Sequence, residues 1–197
     1  MPGSLATLSG NKLAGNNVTV TFDGLPAQIL FDGSTQVNVL VPAALGSKSS
    51  AQLVVTVDGN MSPPLNVNLA PFAPGIFQNG VLNQDNSVNS ANRPAAPGSV
   101  IQIFATGLSG NGVITAKIGD RAITQPYYGG PAPALSGVQQ VNLIVPSDLT
   151  GPTASVSVCR FRLRIKWSIV RLCRSLSRSS SWHEGNVTLA KGSLNNR

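Results

Sequence analysis

TQVNVLVPAAL (Thr35–Leu45) and QQVNLIVPSDL (Gln139–Leu149) are two versions of one phrase, sharing Gln-Val-Asn, an apolar run and a proline. Period-two alternation puts Val37 and Val39 on one face of a strand, and that face must be covered by other apolar groups. The proline that follows, Pro42 or Pro146, withholds an N–H where the ladder stops, so it ends the strand without breaking it. Upstream, PGSLATLSGNKL (Pro2–Leu13) lies over PGSVIQIFATGL (Pro97–Leu108) without a gap, setting Leu5 and Leu8 against Val100 and Ile103. The two matches are offset by 95 and 104 residues because the later copy carries a longer loop, GGPAPALSG (Gly129–Gly137). A repeat of this length is large enough for each copy to bury its own core.

The remaining segments of the first copy fit the same architecture. VTVTF (Val18–Phe22) alternates, Asp23-Gly24 turns the chain, Gln52–Val57 supplies a further strand, Asp58-Gly59 marks a hairpin and Leu65–Leu69 returns. Gly, Pro, Asn, Ser, Thr and Val dominate, and no Glu occurs before Glu184, which disfavours helices. The expected fold is all-β: two tandem immunoglobulin-like β-sandwiches over 1–69 and 70–158, the second lacking its last strand, then a basic, irregular tail over 159–197.

The charge distribution sets that tail apart. Residues 1–158 carry five Lys/Arg and six Asp, whereas 159–197 carry nine Lys/Arg and one Glu, together with both Trp, both Cys and the one His. The net charge of +7 therefore belongs to the last fifth of the chain. No charged and then apolar leader opens the sequence, and no apolar run reaches the roughly 18 residues that would span a bilayer.

APFAPGIF (Ala70–Phe77), NSVNSANRPAAPGSVIQIFATGL (Asn86–Leu108) and GGPAPALSGVQQVNLIVPSDL (Gly129–Leu149) closely resemble the Solibacter-type C-terminal domain family. That family comprises Ig-like β modules near the ends of large exported bacterial proteins. The first copy resembles the companion module that often precedes it, and both are similar to the wider TIG-type Ig-like fold. The resemblance implies a fold and an extracellular or cell-surface setting within a longer exported protein. It implies no catalytic residues, because the family has no established activity. It stops at Val158. The second copy is preceded by some 27 residues from Ala70, whereas the first begins next to Met1, as a chain starting inside a longer protein would.

Catalytic chemistry finds little material. A Ser/His/Asp arrangement needs a base, and 1–158 contains no His; a Cys nucleophile would have to be Cys159 or Cys173. Asp23, Asp32 and Asp58 precede Gly and Asp120 follows one, as turn residues do. NQDNSVNS (Asn83–Ser90) is rich in oxygen but lacks the acid spacing of a calcium loop. GLSGNG (Gly107–Gly112) has no following Lys-Ser/Thr to make a phosphate loop. No cofactor and no metal are therefore expected. Tyr127 and Tyr128, ahead of the long loop, are the candidate ligand contacts, since exposed rings can stack on sugars or on a partner.

The run VSVCRFRLRIKWSIVRLCRS (Val156–Ser175) supports three readings. As a polyanion-binding element it would use Arg160, Arg162, Arg164, Lys166, Arg171 and Arg174. As a membrane element it would present a helix through Phe161, Ile165, Ile169, Leu172 and Leu176. As an out-of-frame segment it would have no role, and three features favour this: the Asp-Gly turn is missing, the apolar parity slips at Cys159, and Ser and Arg suddenly abound. A strand over about 160–168 and irregular chain from Ser175 are expected. The favoured function is a non-enzymatic spacer, stalk or adhesion module. Its expected partner is a cell-surface protein or a glycan, while nucleic acid and membrane are disfavoured. The alternatives are polyanion or membrane binding through 159–197, and carbohydrate binding by the loop after Tyr127.

Overall fold

Pro-Gly-Ser sets the first turn of each copy. In the computed structural model, which describes residues 1–108, 113–119, 121–148, 153–161 and 185–188, Gly3 and Gly98 have φ of 74° and 80°. Proline followed by a positive-φ glycine is the combination a type II turn requires. Ser4 N and Oγ both donate to Met1 O, at 3.3 and 2.7 Å, and Ser99 N and Oγ donate to Ala96 O at 3.1 and 2.6 Å.

Strand β1 (Leu5–Ser9) leaves this turn, followed by β2 (Val18–Phe22), β3 (Leu25–Pro26), β4 (Gln28–Asp32), β5 (Gln36–Leu40), β6 (Ser50–Val57), β7 (Asn60–Met61) and β8 (Leu65–Asn68). One sheet runs β1-β5-β4; in the other β2 lies between β3 and β6, and β6 also pairs with β7 and β8. Asp23-Gly24 and Asp58-Gly59 have positive φ at both residues, the condition for two-residue I′ hairpins matched to strand twist. Val20 and Phe22 of one sheet meet Val37 and Val39 of the other in a single buried cluster, while Gln36, Asn38 and Leu40 alternate outward. The expected parity of Val37 and Val39 holds.

The second copy repeats this plan. Its strands are β9 (Gly75–Leu82), β10 (Val100–Thr106), β11 (Val113–Ile118), β12 (Arg121–Ile123), β13 (Tyr128–Pro131), β14 (Gln139–Ile144), β15 (Thr153–Phe161) and β16 (Gly185–Thr188). They form the sheets β9-β10-β14-β13 and β12-β11-β15-β16. Leu5 pairs with Leu40 and Leu8 with Val37, just as Val100 pairs with Ile144 and Ile103 with Val141, so the offsets of 95 and 104 seen in the sequence are those of the ladders. Val41 N donates to Ser4 O and Val145 N to Ser99 O, both at 2.9 Å. Ile101, Ile103, Ile118, Val141 and Leu143 are sealed in the second core. The chain divides into two compact units: Met1–Ala73 with Pro133–Val138, and Pro74–Ala132 with the rest from Gln139.

The all-β, Ig-like architecture is thus present, with one amendment. The missing closing strand of the second sandwich is supplied from inside the tail. Gly185–Thr188 pairs antiparallel with Thr153–Val156, as Leu65–Asn68 pairs with Ser50–Leu53. The sequence repeats as well, Asn186-Val187-Thr188-Leu189-Ala190 against Asn66-Val67-Asn68-Leu69-Ala70. The likeness was hidden by the basic run between β15 and β16, which replaces a short Asp-Gly connection. Of the strand expected over 160–168, β15 contains the first two residues; the remainder, like the segment from Ser175 to Glu184, lies outside the described residues.

Two outcomes follow for folding. Replacing residues 161–184 with the seven residues of Asp58–Pro64 should keep the second module folded and raise its stability by about 1 kcal/mol through the shorter loop closure, measured by denaturant unfolding. Truncating Ile103, 0% exposed, to Ala should cost about 3 kcal/mol by the same measurement.

Candidate functional site

The outer face of the β9-β10-β14-β13 sheet carries the densest set of side chains able to meet a ligand. Residues at even positions of β14 point away from the core, and two of the three, Gln140 and Asn142, are amides. Gln140 Nε2 donates to Asn142 Oδ1 at 2.9 Å and to Gln102 Oε1 at 3.1 Å, and Gln102 Nε2 donates to Asn86 Oδ1 at 2.7 Å. The result is a hydrogen-bonded strip of amides across three elements. An amide is both donor and acceptor, so such a strip matches hydroxyl groups of either sense. The first copy has a shorter version, in which Thr7 Oγ1 and Gln36 Nε2 donate to Asn38 Oδ1 at 2.9 and 2.8 Å.

Tyr128 opens β13 opposite Asn142, which brings it to the end of the strip. Its Oη donates to Pro131 O at 2.7 Å, and a Cβ built on Gly130 would lie 3.0 Å from the Tyr128 Oη. The ring therefore covers a bare edge-strand glycine two residues on. Phe31, opposite Asn38 in the first copy, lies over Gly33 just past the end of β4, where a Cβ would lie 3.1 Å from the ring. An aromatic laid over an edge glycine supports the strand, which gives both rings a structural role. Tyr127 differs: it is 75% exposed against 39% for Tyr128, and it precedes the strand. The two candidate tyrosines thus separate into a support (Tyr128) and an open ring (Tyr127). In the loop that follows, Gly137 has φ of 74° and lies against Leu5 and Leu40 within the first unit.

Other candidates resolve into structure. Asp23 accepts from Gln52 N and Lys48 Nζ, both at 2.7 Å, and these bonds, the backbone one foremost, hold its carboxyl below the usual carboxylate range. Asp58 Oδ1 accepts from Asn17 N at 2.8 Å. In the Asn83–Ser90 loop, Asp85 Oδ1 accepts from Ser87 Oγ at 2.6 Å and Ser87 N at 3.0 Å, which lowers its pKa. Buried Asn83 donates to Arg93 O at 2.9 Å and accepts from Asn89 Nδ2 at 2.8 Å. These oxygens are engaged by the loop's own donors. Sequence reasoning missed this knot, since oxygen-rich composition alone does not show which donors fold back. Among the described residues no group of three His, Cys, Asp or Glu converges. Of the basic candidates, Arg160 lies in β15 opposite Ile114; Arg162, Arg164, Lys166, Arg171 and Arg174 lie outside the described residues.

The sequence profile of the IPT/TIG domain matches residues 2–70. Residues 2–70 are therefore similar to an IPT/TIG domain. No curated protein matches the chain. Among solved structures it is similar to SGBP-B of the Bacteroides ovatus mixed-linkage glucan utilization locus, in complex with a mixed-linkage heptasaccharide. That alignment has 16% identity over 96% of this chain and 42% of the other, with a TM-score of 0.43. The plexin A4 extracellular region aligns at 15% identity over 79% of this chain and 13% of that one, with a TM-score of 0.32. The I9–I11 tandem of titin aligns at 8% identity over 95% and 60%, with a TM-score of 0.29. The chain spans less than half the length of the first two. Among the described residues no helix is long and apolar enough to cross a membrane.

The geometry gives two expectations. Tyr128→Ala should destabilise the second module by about 1 kcal/mol, with Tyr128→Phe losing only the hydrogen-bond share, whereas Tyr127→Ala should leave thermal unfolding unchanged. Because the Asp23 pKa is depressed, its contribution is intact above the ordinary carboxylate value and fades as pH falls below it. Asp23→Asn should flatten the acid limb of a stability-against-pH curve recorded between about pH 5 and 2.

Proposed function

We propose that the chain is a non-catalytic pair of Ig-like modules serving as a spacer or adhesion segment of a longer, exported bacterial protein. The observation that carries this reading is the position-by-position equivalence of the copies. Turn, ladder register, buried face and outward amides recur together, and Asp23, Asp58 and Asp85 bond to their own loops instead of converging. Conserving all of these twice preserves a shape. Within this reading 70–158 is a Solibacter-type C-terminal module, supported by the three motifs from Ala70 to Leu149. The basic run has no part in it. The return of Asn-Val-Thr-Leu-Ala at 186–190 supports an out-of-frame interval bounded on both sides, and reading the gene in its neighbouring frames between codons 159 and 185 tests this; absence of an Asp-Gly turn in either frame would sink it.

A second reading is favoured by the amide strip with an open tyrosine beside it: a weak glycan contact on the second module. Aromatic faces with nearby amides suit sugar rings and hydroxyls. A glycan array probed with the full chain separates the two. The spacer reading expects no retained glycan. The contact reading expects a glycan whose binding falls about 10-fold, roughly 1.4 kcal/mol, on Tyr127→Ala and again on Gln140→Ala, with folding intact.

A further inference from the structure

Three Asn-X-Ser/Thr sequences occur in the chain: Asn17-Val18-Thr19, Asn60-Met61-Ser62 and Asn186-Val187-Thr188. Such a triplet accepts N-linked sugar when it lies on an accessible surface. Bacterial oligosaccharyltransferases select, in addition, an acidic residue two positions before the asparagine. Asp58 and Glu184 hold that position for Asn60 and Asn186, whereas Gly15 holds it for Asn17. The motif alone leaves two candidates, and strand pairing separates them.

A transferase has to grip the asparagine, the hydroxyl residue and the backbone between them, so the segment must leave its sheet to be read. Asn17-Val18-Thr19 leads into β2, all five residues of which pair with β6. Asn186-Val187-Thr188 lies within β16, and each of its residues pairs with β15. Asn60 and Met61 by contrast make up the whole of β7, an edge strand held at two ladder positions, Val57 opposite Asn60 and Thr56 opposite Met61. Beyond it, Ser62 N donates to Val55 O at 2.8 Å and Ser62 Oγ accepts from Val55 N at 3.1 Å, and then Pro63 and Pro64 offer no N–H to the sheet. So short an edge strand belongs to the part of a fold that opens locally at low cost.

The hairpin tip is also open. Gly59 has φ of 83°, and a Cβ built there would meet nothing within 4 Å. Asn60 is exposed and Met61 is 71% exposed. Asn60 Nδ2 makes a long bond to Val57 O, at 3.4 Å. An amide nitrogen carries two N–H groups, so one remains for that bond after the other is replaced by sugar.

We infer that Asn60 is an acceptor site for an N-linked oligosaccharide. The donor is a polyprenyl-diphosphate-linked oligosaccharide. Asn60 Nδ2 bonds to the sugar C1 as the bond from C1 to the diphosphate oxygen breaks; the polyprenyl diphosphate leaves with the electron pair, and the amide proton passes to a base of the transferase. The inference rests on the exported setting proposed above, because such donors present their sugar on the outer side of the cytoplasmic membrane.

The test incubates the purified full chain with a purified bacterial oligosaccharyltransferase and a lipid-linked oligosaccharide of known mass. The expected result is a gain of one oligosaccharide mass, mapped to Asn60 by peptide analysis. Asn60→Gln and Ser62→Ala should each lower transfer at least about 10-fold, Ser62→Thr should retain it, and Asn17→Gln should leave it unchanged. If a hairpin variant fails to fold, peptide mapping of the unaltered chain decides. No gain in mass, or transfer to Asn17 or Asn186 at a yield equal to that at Asn60, would overturn the inference. The assay needs no export, so absence of transfer leaves the exported setting standing. Transfer to a chain that its own cell retains in the cytoplasm would support the acceptor site and count against the exported setting alone.

Discussion

Each module depends on the pairing of the strand that leaves the Pro-Gly-Ser turn with the strand that ends at the proline. Its register is pinned at the turn, where Ser4 and Ser99 hold the chain on the carbonyl of Met1 or Ala96 while offering their own carbonyls to Val41 or Val145. A slip of one residue would turn Val37 and Val39 out and Gln36 and Asn38 in. Each buried amide without a partner costs on the order of 1–3 kcal/mol, so the slipped register is excluded by the outward face as firmly as the native one is favoured by the inward face. Polar and apolar residues thus specify the same register from opposite sides of the sheet.

The other features follow from this ladder. With Val37 and Val39 facing inward, the second sheet must present Val20 and Phe22, and an I′ turn at Asp23-Gly24 returns the chain with the twist that contact needs. The same aspartate reaches back to Gln52 N on β6, tying the turn to the neighbouring strand. Its carboxyl is acidic because it serves as a latch, which is why a depressed pKa here marks architecture instead of chemistry. Gly130 leaves the β13 edge bare and Gly33 sits in the turn after β4, and Tyr128 and Phe31 lie over them. The aromatic positions that looked most functional are partly fixed by the need to cover a glycine.

Much of this was legible in the residues. The offsets of 95 and 104, the Asp-Gly turns and the parity of Val37 and Val39 are local patterns, and local patterns survive in a sequence read alone. β16 was not legible, because its register on Thr153–Val156 is long-range and a segment of foreign composition intervenes. Nor was the division between Tyr127 and Tyr128, which depends on where Gly130 falls relative to the ring. The amide strip was hidden for a similar reason: Asn86, Gln102, Gln140 and Asn142 are scattered in sequence and become neighbours only through strand pairing.

The charge of the molecule takes on a different meaning once β16 is in place. A basic tail beyond a finished domain would be free to serve as a polyanion arm, and a net charge of +7 would then describe its working surface. Here six of the nine basic residues of 159–197 lie between two strands that pair with each other, β15 and β16, where the first module needs only a turn, two short strand residues and a brief link. An interval so bounded is held at both ends by the same sheet. The segments outside it, from Met1 to Val158, carry more acidic than basic side chains, and it is their nearly neutral, amide-rich faces that the chain presents as modules.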